Sequence, residues 1–430
     1  MDNRILYNRW KNTLDAHKYI TAVIDLQTGN RLTFTDLDAL VQKKPSVNNP
    51  VIGDLSGVDF IVQTLWAWRE NVPFVPIEKE GGLNLTLLDK IPDNVAHIKH
   101  TSGTTGAPRM VLFTEEQLAA DVDQIVETME LNNYDWNIGM ISLVHSYGFS
   151  NLILPLLLYG IPLALCSSPL PETLKHAFSE LTGRGILPAV PAMWSAWNKA
   201  GVLIDSPVGL AISAGAPLSA TLEEDVFVSS GIKVHNFYGS SECGAIAYDG
   251  GNSPRIASNI IGRPIAGVDL SLGENGRLIV RSRATASGYW PNQDREELGN
   301  GRFLTSDLAE IDRNKEQVNL IGRVSEIINV AGRKLSPLAV EQVILEIEGI
   351  ETCVVFGVPS SNVDRAEDIV ACFRALGDIN DKEIFSILRK QLPAWQVPKR
   401  LWNCNQLKIN KLGKISRAYW KERYMQGAFH

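Results

Sequence analysis

The sequence predicts a mixed α/β protein: a large multi-layer N-terminal part of parallel-sheet α/β units with a β-rich subdomain, then a small C-terminal α/β domain. Three observations carry this. Strand-like and helix-like segments alternate from about residue 115 to 238, short β runs rich in Gly and Arg follow Tyr248, and helical spacing returns after Gly322-Arg323. A chain of 430 residues suits two or three compact units.

Taken in order, residues 116–130 have helical spacing and MISLV at 140–144 is strand-like. Residues 149–159 then read as helix, 161–166 (IPLALC) as strand, 172–181 as helix and 186–190 (ILPAV) as strand. A helix over 192–200, a strand at 208–213 (VGLAIS), a helix over 219–229 and a strand at 232–237 (IKVHNF) complete the series. Strands alternating with helices of roughly ten residues imply a mainly parallel sheet covered on both faces. Ligands of such sheets lie beyond the carboxyl ends of the strands. VDLSL, GRLIVRS and FLTSDLAEID make 260–322 β-rich. Ser336-Pro337 pairs a cap residue with proline at the first helical position, and LAVEQVILEIEG runs helically to Gly349. TCVVFGV and IVACFRAL read as strands and 382–391 as a helix, so a boundary at 323–326 separates 1–322 from 327–430.

Hydrophobic residues make up 45% and charged residues 21%, ordinary globular values, and the net charge of −7 argues against a general nucleic-acid or anionic-membrane binder. The five cysteines are odd in number, widely spaced and form no CxxC or Cys/His cluster, which argues against a disulfide framework and a zinc site. Residues 1–20 contain no apolar leader core, and the most apolar run, 151–166, is broken by Pro155, Gly160 and Pro162. That run also falls short of the ~20 residues a spanning helix needs. The expectation is a reduced, cytoplasmic protein with no membrane span.

Four motifs carry chemistry. Thr101-Ser102-Gly103-Thr104-Thr105-Gly106-Ala107-Pro108-Arg109 combines hydroxyls, glycines and a terminal cation, which suits a loop wrapping a polyphosphate. Alone it reads equally well as a polar surface turn, and it lacks the GK[ST] ending of a P-loop. Asn236-Phe237-Tyr238-Gly239-Ser240-Ser241-Glu242 places an aromatic face for a base, a hydroxyl for a phosphate and a carboxylate for Mg²⁺ just after a strand. As a lone string it is also a buried tyrosine in a strand-to-loop turn. Asp307 in FLTSDLAEID, paired with Arg323, can accept ribose hydroxyls, although an Asp at a β-turn is ordinary. Asn410-Lys411-Leu412-Gly413-Lys414-Ile415-Ser416-Arg417 is basic and contains glycine, the composition of many solvated tails.

The order and spacing of these motifs resemble the adenylate-forming superfamily, which includes acyl-CoA and aryl-CoA synthetases, adenylation domains of peptide synthetases, and luciferases. Further matches are RLTFTDLDALV from Arg31, HSYG at 145–148, SAGAPL at 213–218, IGRP at 261–264, ATASGYW at 284–290 and GRVSEIINVAGRK. The resemblance implies that Thr101, Ser102, Gly103, Thr104, Thr105 and Arg109 cradle the β- and γ-phosphates of ATP. It places Ser241 on the α-phosphate and Glu242 on Mg²⁺. Tyr238 stacks on adenine opposite Gly215, Ala216 and Pro217, with Asn236 beside it, and Asp307 and Arg323 hold the ribose. Lys414 bridges the substrate carboxylate and the α-phosphate, a cation that offsets the repulsion of two approaching anions. His145, Tyr147, Phe149, Gly215 and Gly239 line the acyl pocket, His145 next to the reacting group.

The same resemblance implies a mobile C-terminal domain turning about Ser325, one orientation presenting Lys414 and the other the thiol tunnel at Gly332. The implied reaction is adenylation of a small carboxylic acid, aryl or short-to-medium acyl, followed by transfer to a pantetheine thiol. CoA is the expected acceptor. A carrier-protein phosphopantetheine is the alternative, and a non-catalytic acyl- or nucleotide-binding relative is the rival from another class. The chain departs from the family at Arg109 (usually lysine), Met110 (glycine), Ser306 (often glycine) and Ser325 (Asp or Lys). The stretch before the phosphate loop is short, so the N-terminal part is expected to be reduced.

Overall fold

The computed structural model describes residues 4–77, 88, 90–100, 109–291, 296–361, 366–377, 379–407 and 415–427. Six strands in parallel register form the centre of the large sheet: Thr21–Asp25, Leu163–Leu165, Trp136–Gly139, Gly185–Ala189, Val208–Ser213 and Val234–Ser240. Their side chains alternate between two cores. Ile186, Leu210 and Ile212 face helices Glu115–Met129 and Leu154–Tyr159, while Leu187 and Ala211 face helices Pro171–Glu180, Pro191–Lys199 and Ala220–Ser230. A sheet covered on both faces in this way needs strands that are apolar on both sides, which explains their nearly continuous hydrophobic runs.

All but one of the expected helices fall within a residue or two of their observed bounds, and one strand does not form where the sequence suggests. MISLV at 140–144 lies in bends, and the strand is the preceding Trp136–Gly139. The ladder ends where Gly139 pairs with Leu165. Ile141, Leu143 and Val144 pack on the core from the loop beyond, so burial of a short apolar run did not require a strand there. The helix after Ser336 also stops early, at Leu345, because Ile347 turns back through an Ile347 N–H to Ile344 O bond and sits against the C-terminal core. Ser336 stands at the cap position without making the side-chain capping bond.

The β-rich stretch continues the sheet. Gly244–Tyr248 folds back antiparallel on Val234–Ser240, and Ile260–Pro264, Gln317–Arg323, Arg302–Asp312, Arg277–Ser282 and Val268–Leu272 add in turn, all antiparallel. A second sheet has the order Gly288–Trp290, Met110–Phe113, His97–His100, Phe74–Pro76, Val51–Gly53. Within RLTFTDLDALV, Thr33 and Asp36 form a reciprocal capping box that starts helix Phe34–Gln42. After the turn Val324–Glu326, the hairpin Ile328–Val330/Arg333–Leu335 and the sheet Ile350–Pro359, Glu367–Ala375, Arg400–Asn403 surround their own cores, drawn from residues 328 onward. Among the described residues no helix is long and apolar enough to cross a membrane.

A buried charge network fixes the loop after Val208–Ser213. Glu223, fully enclosed, receives Lys233 Nζ at 2.5 Å and Arg255 Nε at 2.7 Å, and Arg255 also donates to Leu218 O at 2.8 Å. Removing the carboxylate takes the anion from Arg255 in a dry site and leaves Lys233 with Asp249, 2.7 Å away, as its carboxylate partner. Glu223→Ala is therefore expected to lower unfolding stability by about 3–5 kcal/mol, measured by denaturant titration, well beyond the loss for a surface Glu→Ala.

Candidate active site

The YGSSE segment sits at the reversal between Val234–Ser240 and Gly244–Tyr248, at the carboxyl end of a central parallel strand. Tyr238 Oη donates to Asp307 Oδ2 at 2.5 Å, and Arg323 Nε donates to Asp307 Oδ1 at 2.9 Å. Asp307 and Arg323 are direct cross-strand partners, so the antiparallel ladder itself sets their pairing. Burial and the neighbouring Asp307 carboxylate push the Tyr238 hydroxyl well above its usual range. Burial works against the Arg323 charge, but Asp307, together with Glu326 and Tyr238, outweighs it and holds the guanidinium above its ordinary value. Each Asp307 oxygen keeps a further lone-pair direction for an incoming hydroxyl. Asn236, buried on the same strand, accepts the Asp249 N–H at its carbonyl. Gly215, Ala216 and Pro217 follow the neighbouring strand, Val208–Ser213, at the same edge.

HSYG forms the start of a short helix. His145 is its N-cap residue, and Ser146 Oγ donates to Ser241 Oγ at 3.2 Å, joining this loop to YGSSE. Tyr147 Oη donates to Ile212 O at 3.1 Å, and its ring lies 6.0 Å from that of Phe237. Burial drives the Tyr147 hydroxyl far up from its usual value. Two residues expected in the acyl pocket carry packing contacts. Phe149 is fully enclosed, its ring 4.2 Å from His97 and 6.2 Å from Phe74, which makes it a core residue between helix and second sheet. At Gly239 a Cβ would lie 2.6 Å from Gly244 O, so the missing side chain serves the close approach of the two strands.

Glu242 is half-buried and accepts a hydrogen bond from Tyr289 Oη at 3.2 Å, while its N–H donates to Ser240 Oγ. Burial pushes its carboxyl up; its hydrogen bonds and the Arg109 charge pull the other way. Arg109 lies with Cζ 3.8 Å from the Tyr289 ring centroid and NH1 3.5 Å from Glu297. Among the described residues no group of three or more metal-ligating side chains occurs. Mg²⁺ held by one carboxylate and substrate phosphates needs no such group, so the oxygen donor at Glu242 fits it. Ser325 is exposed in the turn Val324–Glu326, and Gly332 closes the Ile328–Leu335 hairpin at φ +79°. Thr101, Ser102, Gly103, Thr104, Thr105 and Lys414 lie outside the described residues.

Two residues to which the motif reading assigned no role stand among these loops. Tyr289 belongs to the ATASGYW match, which was the available signal. Asp121 had none: it lies mid-helix, buried, accepting Ser150 Oγ at 2.6 Å and the Ala245 N–H at 3.0 Å. It thereby ties the HSYG helix to the strand leaving YGSSE.

Residues 49–290 match the family model described as AMP-binding enzyme. A probable CoA ligase, CCL9, of Humulus lupulus is 25% identical over 359 residues, covering 78% of this chain and 67% of the relative. A long-chain-fatty-acid–CoA ligase of Escherichia coli O157:H7 is 24% identical over 351 residues, 76% of this chain and 61% of that one. The chain thus spans about three-fifths to two thirds of these ligases' length. ATP-bound MatB from Rhodopseudomonas palustris superposes with a TM-score of 0.86 at 20% identity, covering 98% of this chain and 99% of the other, and so shares the fold.

The tight reversal yields a test. Gly239→Ala forces Ala245 and Gly244 away and should lower stability by about 1–3 kcal/mol. It should also weaken ATP binding in isothermal titration, because Tyr238, Ser241 and Glu242 shift together.

Proposed function

The chain belongs to the AMP-binding enzyme family, and from that premise we propose that it activates a small carboxylic acid with ATP and passes the acyl group to a pantetheine thiol. The observation that carries this reading is the meeting of the acyl-side and nucleotide-side loops, Ser146 Oγ on Ser241 Oγ, beside the Tyr238–Asp307–Arg323 cluster. One carboxylate and one nucleotide can be held there across a single contact.

In the proposed first step a carboxylate oxygen attacks the α-phosphorus and pyrophosphate leaves. Tyr238 offers its ring to adenine opposite Gly215, Ala216 and Pro217, with Asn236 beside it, and Asp307 with Arg323 receives the ribose hydroxyls. Thr101, Ser102, Gly103, Thr104, Thr105 and Arg109 hold the β- and γ-phosphates, Ser241 the α-phosphate, and Lys414 the two anions as they converge. Bound Mg²⁺ would neutralise phosphate charge next to Glu242. In the second step the thiol sulfur attacks the acyl carbonyl and AMP leaves, with the C-terminal segment turned about Ser325 so that Gly332 borders the thiol path. His145 and Tyr147 flank the acyl group, which favours an aryl or short-to-medium acid. The names of the similar ligases favour CoA as acceptor over a carrier protein.

The reading is tested by ATP–pyrophosphate exchange across a panel of acids, followed by addition of CoA or a phosphopantetheinylated carrier protein. Exchange with none of the acids, together with ATP binding, would favour a non-catalytic relative. Within the reaction, Lys414→Ala should abolish exchange yet leave thioester formation from preformed acyl-AMP largely intact. Equal loss of both steps would count against a lysine used in one orientation only.

A further inference from the structure

We propose that Tyr289 is a positioning residue that holds Arg109 and Glu242 as one unit, its ring face seating the guanidinium and its hydroxyl setting the carboxylate. This rests on the proposed roles of those two residues toward phosphate and Mg²⁺.

The backbone explains why three distant segments meet at this ring. Arg109 immediately precedes strand Met110–Phe113, which leads away from the phosphate loop, and that strand pairs antiparallel with Gly288–Trp290, Tyr289 opposite Val111. The Ala286 N–H donates to Glu242 O and the Ser287 N–H to Leu112 O, both at 2.9 Å. YGSSE, the phosphate-loop exit and GYW are therefore laced by main-chain bonds before any side chain acts. Tyr289 then completes the junction. Its ring is buried at 1% exposure, its hydroxyl lies 3.2 Å from Glu242 Oε1 and 3.4 Å from Glu297 Oε1, and Arg109 covers its face at 3.8 Å.

The chemistry of arginine matters here. A guanidinium stacks flat on an aromatic face, a contact that engages its plane, while its N–H edge donates in that plane, as Arg109 NH1 does toward Glu297 at 3.5 Å. Lysine offers a point charge without that planar fit. The arginine that departs from the usual family lysine thus sits on a surface suited to arginine. The Tyr289 hydroxyl gives Glu242 an oriented hydrogen bond, the kind of outer partner that fixes a metal-binding carboxylate.

The test uses the full chain and isothermal titration of ATP at a series of MgCl₂ concentrations. Tyr289→Phe keeps the ring and removes the hydroxyl, and should raise the Mg²⁺ needed for half-maximal ATP binding by about tenfold. Tyr289→Leu should in addition weaken ATP binding, and Arg109→Ala added to it should cost clearly less than in the parent protein, since its seat is already gone. A merely structural tyrosine would lower the melting temperature without moving the Mg²⁺ requirement. Glu242→Gln runs alongside. If it shifts Mg²⁺ dependence and Tyr289→Phe does not, the positioning role is overturned; if Glu242→Gln itself has no effect, the metal assignment fails first and the inference falls with it. Strict additivity of Arg109→Ala and Tyr289→Leu overturns the seating role. Should the leucine variant not fold, an unchanged Mg²⁺ requirement in the phenylalanine variant still overturns the proposal, and a raised one supports it.

Discussion

The structure turns on the reversal at Ser240–Gly244, where the run of six parallel strands ending in Val234–Ser240 gives way to antiparallel ones. At that point the backbone of Gly239 approaches Gly244 O so closely that no side chain fits between them. Two consequences follow. Tyr238, Ser241 and Glu242 are left at the carboxyl edge of the parallel strands, where such sheets receive ligands. The strands after the reversal also add to the sheet as successive antiparallel neighbours, and so return Asp307 and Arg323 to face Tyr238. Residues about 70 to 85 positions apart in sequence share one hydrogen-bonded cluster because the sheet changes sense at this reversal.

Much of this was legible in the sequence. Runs such as VGLAIS and ILPAV, separated by helical spacing, gave the parallel sheet because strands buried on both faces cannot alternate polar and apolar residues. The Asp307–Arg323 pairing followed from motif order. What was not legible depended on long-range register. MISLV has strand composition, yet the ladder with Leu163–Leu165 ends at Gly139, and apolar side chains can be buried from a loop. The β-rich stretch was readable as strands, but its continuation of the main sheet depends on the single pairing of Gly244–Tyr248 with Ile260–Pro264. In the site, the packing of Phe149, next to HSYG, and of Gly239, within YGSSE, was not legible. Adjacency in sequence does not fix the direction of a side chain: one points into the core and the other is absent for steric reasons.

Buried polar groups do the remaining positioning, and their energetics explain why they hold still. Asp121 accepts from a hydroxyl on the helix after HSYG and from a main-chain N–H on the strand after YGSSE. A carboxylate in a dry interior is tolerated only while such donors stay in place. Movement of either loop would strip a donor from a buried charge, so the two loops are held in mutual register by the cost of separating them. Lys99, on the strand that leads toward residue 101, lies close enough to Asp121 and Glu242 for their charges to oppose the effect of burial on its ammonium. Its own Nζ lies 4.4 Å from the Phe113 ring and has no hydrogen-bond partner among the described residues.

That arrangement bears on how a protein of net charge −7 can receive a polyphosphate. Long-range attraction cannot supply the affinity, since the mean field repels the ligand and falls off over about 10 Å in salt. The attraction has to be local and preoriented, from cations whose positions are fixed before the ligand arrives. Arg109 lies on the Tyr289 face and against Glu297, and Arg323 on Asp307, so each cation stands beside partners that orient it. A flexible lysine in either place would have to lose more conformational freedom on binding, and the site would surrender part of its affinity to that ordering.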